Sequence, residues 1–79
     1  NPNAISRAIG AAGLAKNFND LLNRYRVREV QRRLRSETFA EHSLLRLALD
    51  SGFNSKTSFN RIFRDLTGVS PREYRRRLD

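Results

Sequence analysis

Apolar positions recur along this chain at helical spacing, and no run alternates as a strand would. Ile5, Ala8, Ile9 and Ala12 fall at i, i+3, i+4 and i+7, the spacing that lines one helical face, and Asn3 precedes them as a cap. The small residues Gly10, Ala11, Ala12 and Gly13 predict an end to this helix, with Lys16 and Asn17 in a short connection. A longer helix is expected from about residue 18 to residue 35. Its inner side would carry Phe18, Leu21, Leu22, Tyr25, Val30 and Leu34, and its outer side Arg24, Arg28, Arg32 and Arg35. At 1.5 Å per residue such a helix spans roughly 27 Å, enough to hold two units apart.

"SETFAEHS" then breaks the pattern, and Ser43 is placed to cap the next helix, "LLRLALDS". Gly52 stands where a left-handed residue closes a helix, and Phe53 is expected to plug the turn into the core. Asn54 or Ser55 caps a further helix in which Phe59, Ile62, Phe63 and Leu66 again follow i, i+3, i+4 and i+7, and Gly68 ends it. "SPREYRRRL" opens a last helix with Ser70 as cap, Pro71 at the first helical position and Glu73 in the capping-box position. Tyr74 and Leu78 should pack inward, leaving Arg72, Arg75, Arg76 and Arg77 largely outward. The expected fold class is all-α.

A helix closed by Gly52, a tight turn and a second amphipathic helix make a helix-turn-helix pattern, whose second helix enters the DNA major groove. With Phe59 inward, Thr57, Asn60, Arg61 and Arg64 point away from the core. Arginine suits guanine or phosphate, asparagine suits adenine, and threonine suits several base edges. A solvated polar face is the plainer account of the same residues. "NAISRAI" at 3 to 9 repeats the pattern of "TSFNRIF" at 57 to 63, matching Arg7 with Arg61, Ser6 with Asn60 and Asn3 with Thr57. Two such helices on a stiff connector would suit major-groove segments about 34 Å apart.

Composition points to an anionic partner. The 79 residues allow one small domain, and the net charge of +8, with a pI near 11.5, fits nucleic acid, anionic lipid or an acidic protein. Of 16 cations, 14 are arginine, the side chain whose fork suits phosphate and guanine, though an arginine-rich codon bias gives the same count. There is no cysteine, so thiolate metal sites and disulfides are excluded. No apolar run reaches a membrane span, and no signal-peptide pattern opens the chain. Beginning at Asn1, the sequence reads as a fragment of a longer polypeptide.

His42 is the only histidine and is expected in an exposed loop; no metal and no cofactor are expected. The acids are spread along the helices near arginines, which suits ion pairs better than acid/base chemistry. No P-loop, GxGxxG or GxSxG occurs, so no enzyme is expected. "PREYRRR" is either a phosphate clamp or a solvated tail, and each phosphate contact would steepen the salt dependence by about 0.9 log units.

"NFNDLLNRYRVREVQRRL" followed by "LLRLALDSGFNSKTSFNRIFRDLTGVSPREYRRRL" resembles the C-terminal DNA-binding domain of the AraC/XylS transcriptional regulators. The likeness covers nearly the whole chain, and "SGFNSKTSFNRIFRDLTGVSPREYR" is its most specific run. The resemblance implies one AraC-type domain over residues 1–79, with two helix-turn-helix units. Residues 1–17 would be the remnant of the first unit, 18–35 the linker helix and 43–79 the second unit. Carried over by position, the DNA contacts are Asn3, Ser6 and Arg7 in the first recognition helix, residues 3 to 12. In the second, residues 55 to 66, they are Lys56, Thr57, Asn60 and Arg61, with Arg64 at phosphate.

The implied function is sequence-specific duplex DNA binding in a bacterial, cytoplasmic regulator, with RNA polymerase contact and a homodimer as further partners. The chain departs from the family at its start, where two helices that precede the first recognition helix are missing. "GAAGLAKNF" is also a residue longer than usual. The first unit is therefore expected to be loose or covered by a second copy. One alternative is a protein-interaction or oligomerisation module using the apolar face of residues 5–12. Nonspecific RNA binding is another, less favoured because no aromatic residue falls on the proposed outer faces.

Overall fold

A computed structural model of the protein describes the backbone of residues 2–78 and the side chains of residues 16–78. It contains α1 (Pro2–Leu34), a 3-10 turn (Glu37–Phe39), α2 (Leu44–Asp50), α3 (Lys56–Thr67) and α4 (Pro71–Leu78), and no strand among the described residues.

α1 runs unbroken through the expected connection: Lys16 and Asn17 are helical. Glycine costs a helix only about 1 kcal/mol per residue, and the alanines, leucine and lysine around Gly10 and Gly13 are strong helix formers. The expected face of Ile5, Ala8, Ile9 and Ala12 lies outside the described side chains.

The inner face expected for the later part of α1 is also corrected. Val27 and Val30 are buried and Leu34 packs against the core, but Phe18, Leu21 and Tyr25 are 63%, 67% and 64% exposed. Phe18 and Val27 are nine residues apart, as are Leu21 and Val30, and nine residues make about two and a half helical turns. The two groups therefore lie on opposite sides of one straight helix. Arg24, Arg28, Arg32 and Arg35 are exposed, as expected.

Val27 and Val30 meet Ala48 of α2, Phe53 of the turn, and Phe59 and Phe63 of α3 in one cluster. Ring centroids are 5.1 Å apart for Phe53 and Phe59, 5.7 Å for Phe59 and Phe63, and 5.5 Å for Phe63 and Tyr74. These tilted and edge-on contacts are the arrangements aromatic quadrupoles favour. Leu66 and Leu78, expected inside, are 38% and 42% exposed because each sits where its helix runs past the core.

Polar contacts fasten the periphery. The Arg33 guanidinium lies 5.1 Å from the centre of the Phe39 ring, 3.2 Å from Glu29 and 4.0 Å from Asp50, tying α1 to α2 and to the 3-10 turn. Arg75 donates to the Ala40 carbonyl at 2.9 Å, holding α4 to the loop before α2; it is half-buried, where an outward arginine was expected. The Arg33–Phe39 stack draws the loop inward, so His42 is half-buried rather than exposed. Its ring meets Phe39 edge-on at 5.4 Å, and its Nδ1 is out of solvent with no hydrogen-bond partner.

Ion pairs with Arg32 and then Arg33 hold the Glu29 carboxyl below its usual range, and Arg76 and then Arg77 do the same for Glu73. Both shifts are downward, so their stabilisation is present above the usual carboxylate pKa of 4.5 and is lost as pH falls through the lower folded values. Because these pairs are exposed, the effect should shrink in salt. A Glu29→Gln chain should therefore show a shallower loss of melting temperature on acidification than the parent at low salt. Identical acid profiles would show that the Glu29 pairs contribute nothing to folding.

Candidate nucleic-acid interface

The turn between α2 and α3 is built by a few local contacts. Ser43 caps α2, its Oγ accepting from the Arg46 N–H at 3.1 Å. At the other end Gly52 has φ +107°, the Gly52 N–H donates to Leu49 O at 3.1 Å, and the Phe53 N–H donates to Ala48 O at 3.0 Å. This crossed pair is the Schellman closure, with Phe53 packed beside Ala48 as its apolar contact. Phe53 is thereby pulled into the core, fixing where the chain leaves α2.

Ser55, of the two candidate caps, starts α3: its Oγ accepts from the Ser58 N–H at 3.1 Å. Gly68, at φ +83°, ends the helix, with Thr67 Oγ1 donating to Phe63 O at 2.7 Å. Ser70 Oγ accepts from the Glu73 N–H at 3.1 Å to start α4. The return half of the expected capping box is not made, because the Glu73 carboxylate pairs with Arg76 and Arg77.

With Phe59 and Phe63 buried, α3 can present only its other side. Thr57, Asn60, Arg61 and Arg64 are exposed away from the core, and Lys56, exposed at the first position of α3, falls seven residues before Phe63 and so within about 20° of it around the helix. Among the described residues, no carboxylate lies within 4.0 Å of Lys56, Arg61 or Arg64, so their charges are unspent. Lys56 and Asn60 line a depression of about 530 Å³ together with Ser43 and Arg72. Arg72 thus joins the same surface from α4, a neighbour that sequence spacing does not announce because the two elements meet only in the fold. Arg61 lines a second depression with Asp20, Arg24 and Asp65. Asn3, Ser6 and Arg7 fall in the part of α1 whose side chains lie outside the described residues.

A family model described as a helix-turn-helix domain, of AraC type, matches residues 5–77. The chain belongs to that family. A search of curated proteins and one of solved structures found no match. Membership establishes binding to double-stranded DNA as the domain's activity, in a regulator of AraC type. Among the described residues, no helix is long and apolar enough to cross a membrane, and no three metal-ligating side chains come together.

In this AraC-type domain the turn glycine is constrained on two counts. A Cβ on Gly52 would sit 3.0 Å from Arg26 Nε, and its backbone is in the region L-residues avoid. Gly52→Ala should cost about 1–2 kcal/mol from backbone strain. Most of that cost should persist in an Arg26→Ala background, where the contact is gone. Urea denaturation checks this; unchanged stability would mean that the turn relaxes to negative φ.

Proposed function

We propose that this domain reads DNA sequence, with α3 in the major groove. Lys56, Thr57, Asn60 and Arg61 would meet base edges, and Arg64 and Arg72 the flanking phosphates. The observation that carries this reading is a single one: exposed Thr57, Arg61 and Arg64 stand opposite buried Phe59 and Phe63, with Asn60 and Lys56 on the adjoining flank, on a helix whose start and end are both capped. Burial fixes the rotation of α3, and fixed rotation is what base readout needs. Asn3, Ser6 and Arg7 are proposed to contact an adjacent major-groove segment. The domain would work within a cytoplasmic bacterial regulator that pairs as a homodimer and contacts RNA polymerase.

Selection from random duplex DNA, comparing the parent with Arg61→Ala, tests the reading. The parent should enrich a motif that loses one position in the variant, a change worth about 1–3 kcal/mol at that base pair. Arg64→Ala should leave the motif intact and lower the salt slope by about 0.9. Absence of any motif, with both chains binding alike, would reduce α3 to a phosphate-seeking surface.

A second reading, self-association through α1, is favoured by the exposed stripe of Phe18, Leu21 and Tyr25. This stripe lies on described residues, unlike the face of residues 5–12 first expected for that role. Sedimentation of the parent and of Leu21→Asp decides it: a dimer lost in the variant is the expected result, and a parent that stays monomeric excludes it.

A further inference from the structure

A groove of about 470 Å³ runs between α1, the end of α3 and α4. Its floor is apolar, made by Val27, Leu66, Val69, Tyr74 and Leu78. Leu66 and Leu78, the large apolar residues most exposed on their helices, both face into it. Arg24, Arg28 and Arg77 stand at the rim, and no acid lines it. Arg77 is partly neutralised by Glu73 at 3.2 Å, but among the described residues Arg24 and Arg28 have no carboxylate within 4.0 Å. Two exposed like charges four residues apart on a helix repel each other modestly, so the bare rim favours an occupant that brings carboxylates. None of Lys56, Thr57, Asn60, Arg61 or Arg64 lines the groove.

We propose that this groove docks an acidic amphipathic segment of a partner protein, its apolar side chains on the Leu66–Leu78 floor and its carboxylates on the forks of Arg24 and Arg28. Guanidinium and carboxylate pair through two parallel hydrogen bonds, which gives such a rim both affinity and orientation. The apolar floor distinguishes this occupant from DNA, because a phosphate gains nothing from burying leucine. The rim distinguishes it from a second copy seated groove to groove, because Arg24 and Arg28 would then face their own counterparts. The groove takes in none of the five polar residues of α3, and it adjoins their surface only at Arg24 and Leu66, which share a depression with Arg61.

The test is fluorescence anisotropy of the 79-residue chain with a labelled helical peptide carrying leucines at i, i+3, i+4 and i+7 and glutamates elsewhere. One control peptide has lysine for each glutamate, and another has serine for each leucine. Saturable binding is expected for the first peptide, at least about tenfold tighter than for either control. Arg24→Glu combined with Arg28→Glu should weaken it by at least about tenfold, while Arg61→Ala leaves it unchanged. Both rim positions are exposed, and a thermal melt verifies that the double variant folds.

Equal binding by the serine peptide would overturn the proposal in favour of plain charge attraction. Stoichiometric displacement of the peptide by duplex DNA would make the groove a phosphate surface. A dimer of the parent that the double variant abolishes would assign it to a second copy. Because the Arg61→Ala selection uses different residues and a different ligand, failure of the DNA-reading proposal and failure of this one are separable.

Discussion

The row of rings from Phe53 through Phe59 and Phe63 to Tyr74 determines where everything else in the described part of the chain can lie. The four rings come from three pieces of the chain: Phe53 from the turn, Phe59 and Phe63 from α3, Tyr74 from α4. Packing them in series against Val27 and Val30 fixes the rotation of α3 about its own axis and the angle at which α4 leaves it. Buried aromatics contribute several kcal/mol each by truncation, a large share of the stability of a domain this small. The polar face of α3 is therefore a consequence of its apolar face. Thr57, Asn60, Arg61 and Arg64 are presented together because Phe59 and Phe63 have no other place to go.

The arginines divide into those that fold the domain and those left for a partner. Arg33 stacks on Phe39 and reaches both Glu29 and Asp50, Arg75 holds the Ala40 carbonyl, and Arg26 lies over Gly52 and bonds to Asn23 at 3.3 Å. Arg46 is 3.8 Å from Asp50, and Arg32, Arg76 and Arg77 pair with the glutamates of their own helices. Among the described residues, those with no carboxylate within 4.0 Å include Arg24, Arg28, Arg61, Arg64 and Arg72. The high net charge is thus not spread evenly: structural pairs take up Glu29, Asp50 and Glu73, and cations with no carboxylate within 4.0 Å stand on α3, at the start of α4 and along one edge of α1.

Much of this was legible in the sequence where the determinant was local. Ser43, Ser55, Ser70, Gly52 and Gly68 each act within a few residues of themselves, so their roles as caps and stops could be read from spacing. The burial of Phe59 and Phe63 follows from helical periodicity, and that of Phe53 from its place in the turn after Gly52. The inner side of α1 was not legible, because its two short apolar stripes follow one another closely along the chain and yet stand half a turn apart. Arg33 on Phe39 and Arg75 on Ala40 were hidden for a different reason: the partners are on other elements, and no periodicity connects them. The same holds for Arg72, which joins Lys56 and Asn60 only once α4 has folded back.

The half-turn offset in α1 has a consequence for how the molecule is organised. Val27, Val30 and Leu34 are consumed by α2, α3 and α4, and those elements cannot also reach Phe18, Leu21 and Tyr25, which face the other way. Over its described side chains, one continuous helix is thus apolar on one side across residues 18–25 and on the opposite side across residues 27–34, which is what a wall shared by two bodies requires. Because the wall is a single helix, a body seated on the first stripe would be held at a fixed rotation and distance from α3. Rigid spacing of that kind is what distinguishes a domain that measures the distance between two DNA segments from one that grips a single segment. In α1 the measuring element would be the phase of its apolar residues, set by the nine-residue interval that separates Leu21 from Val30.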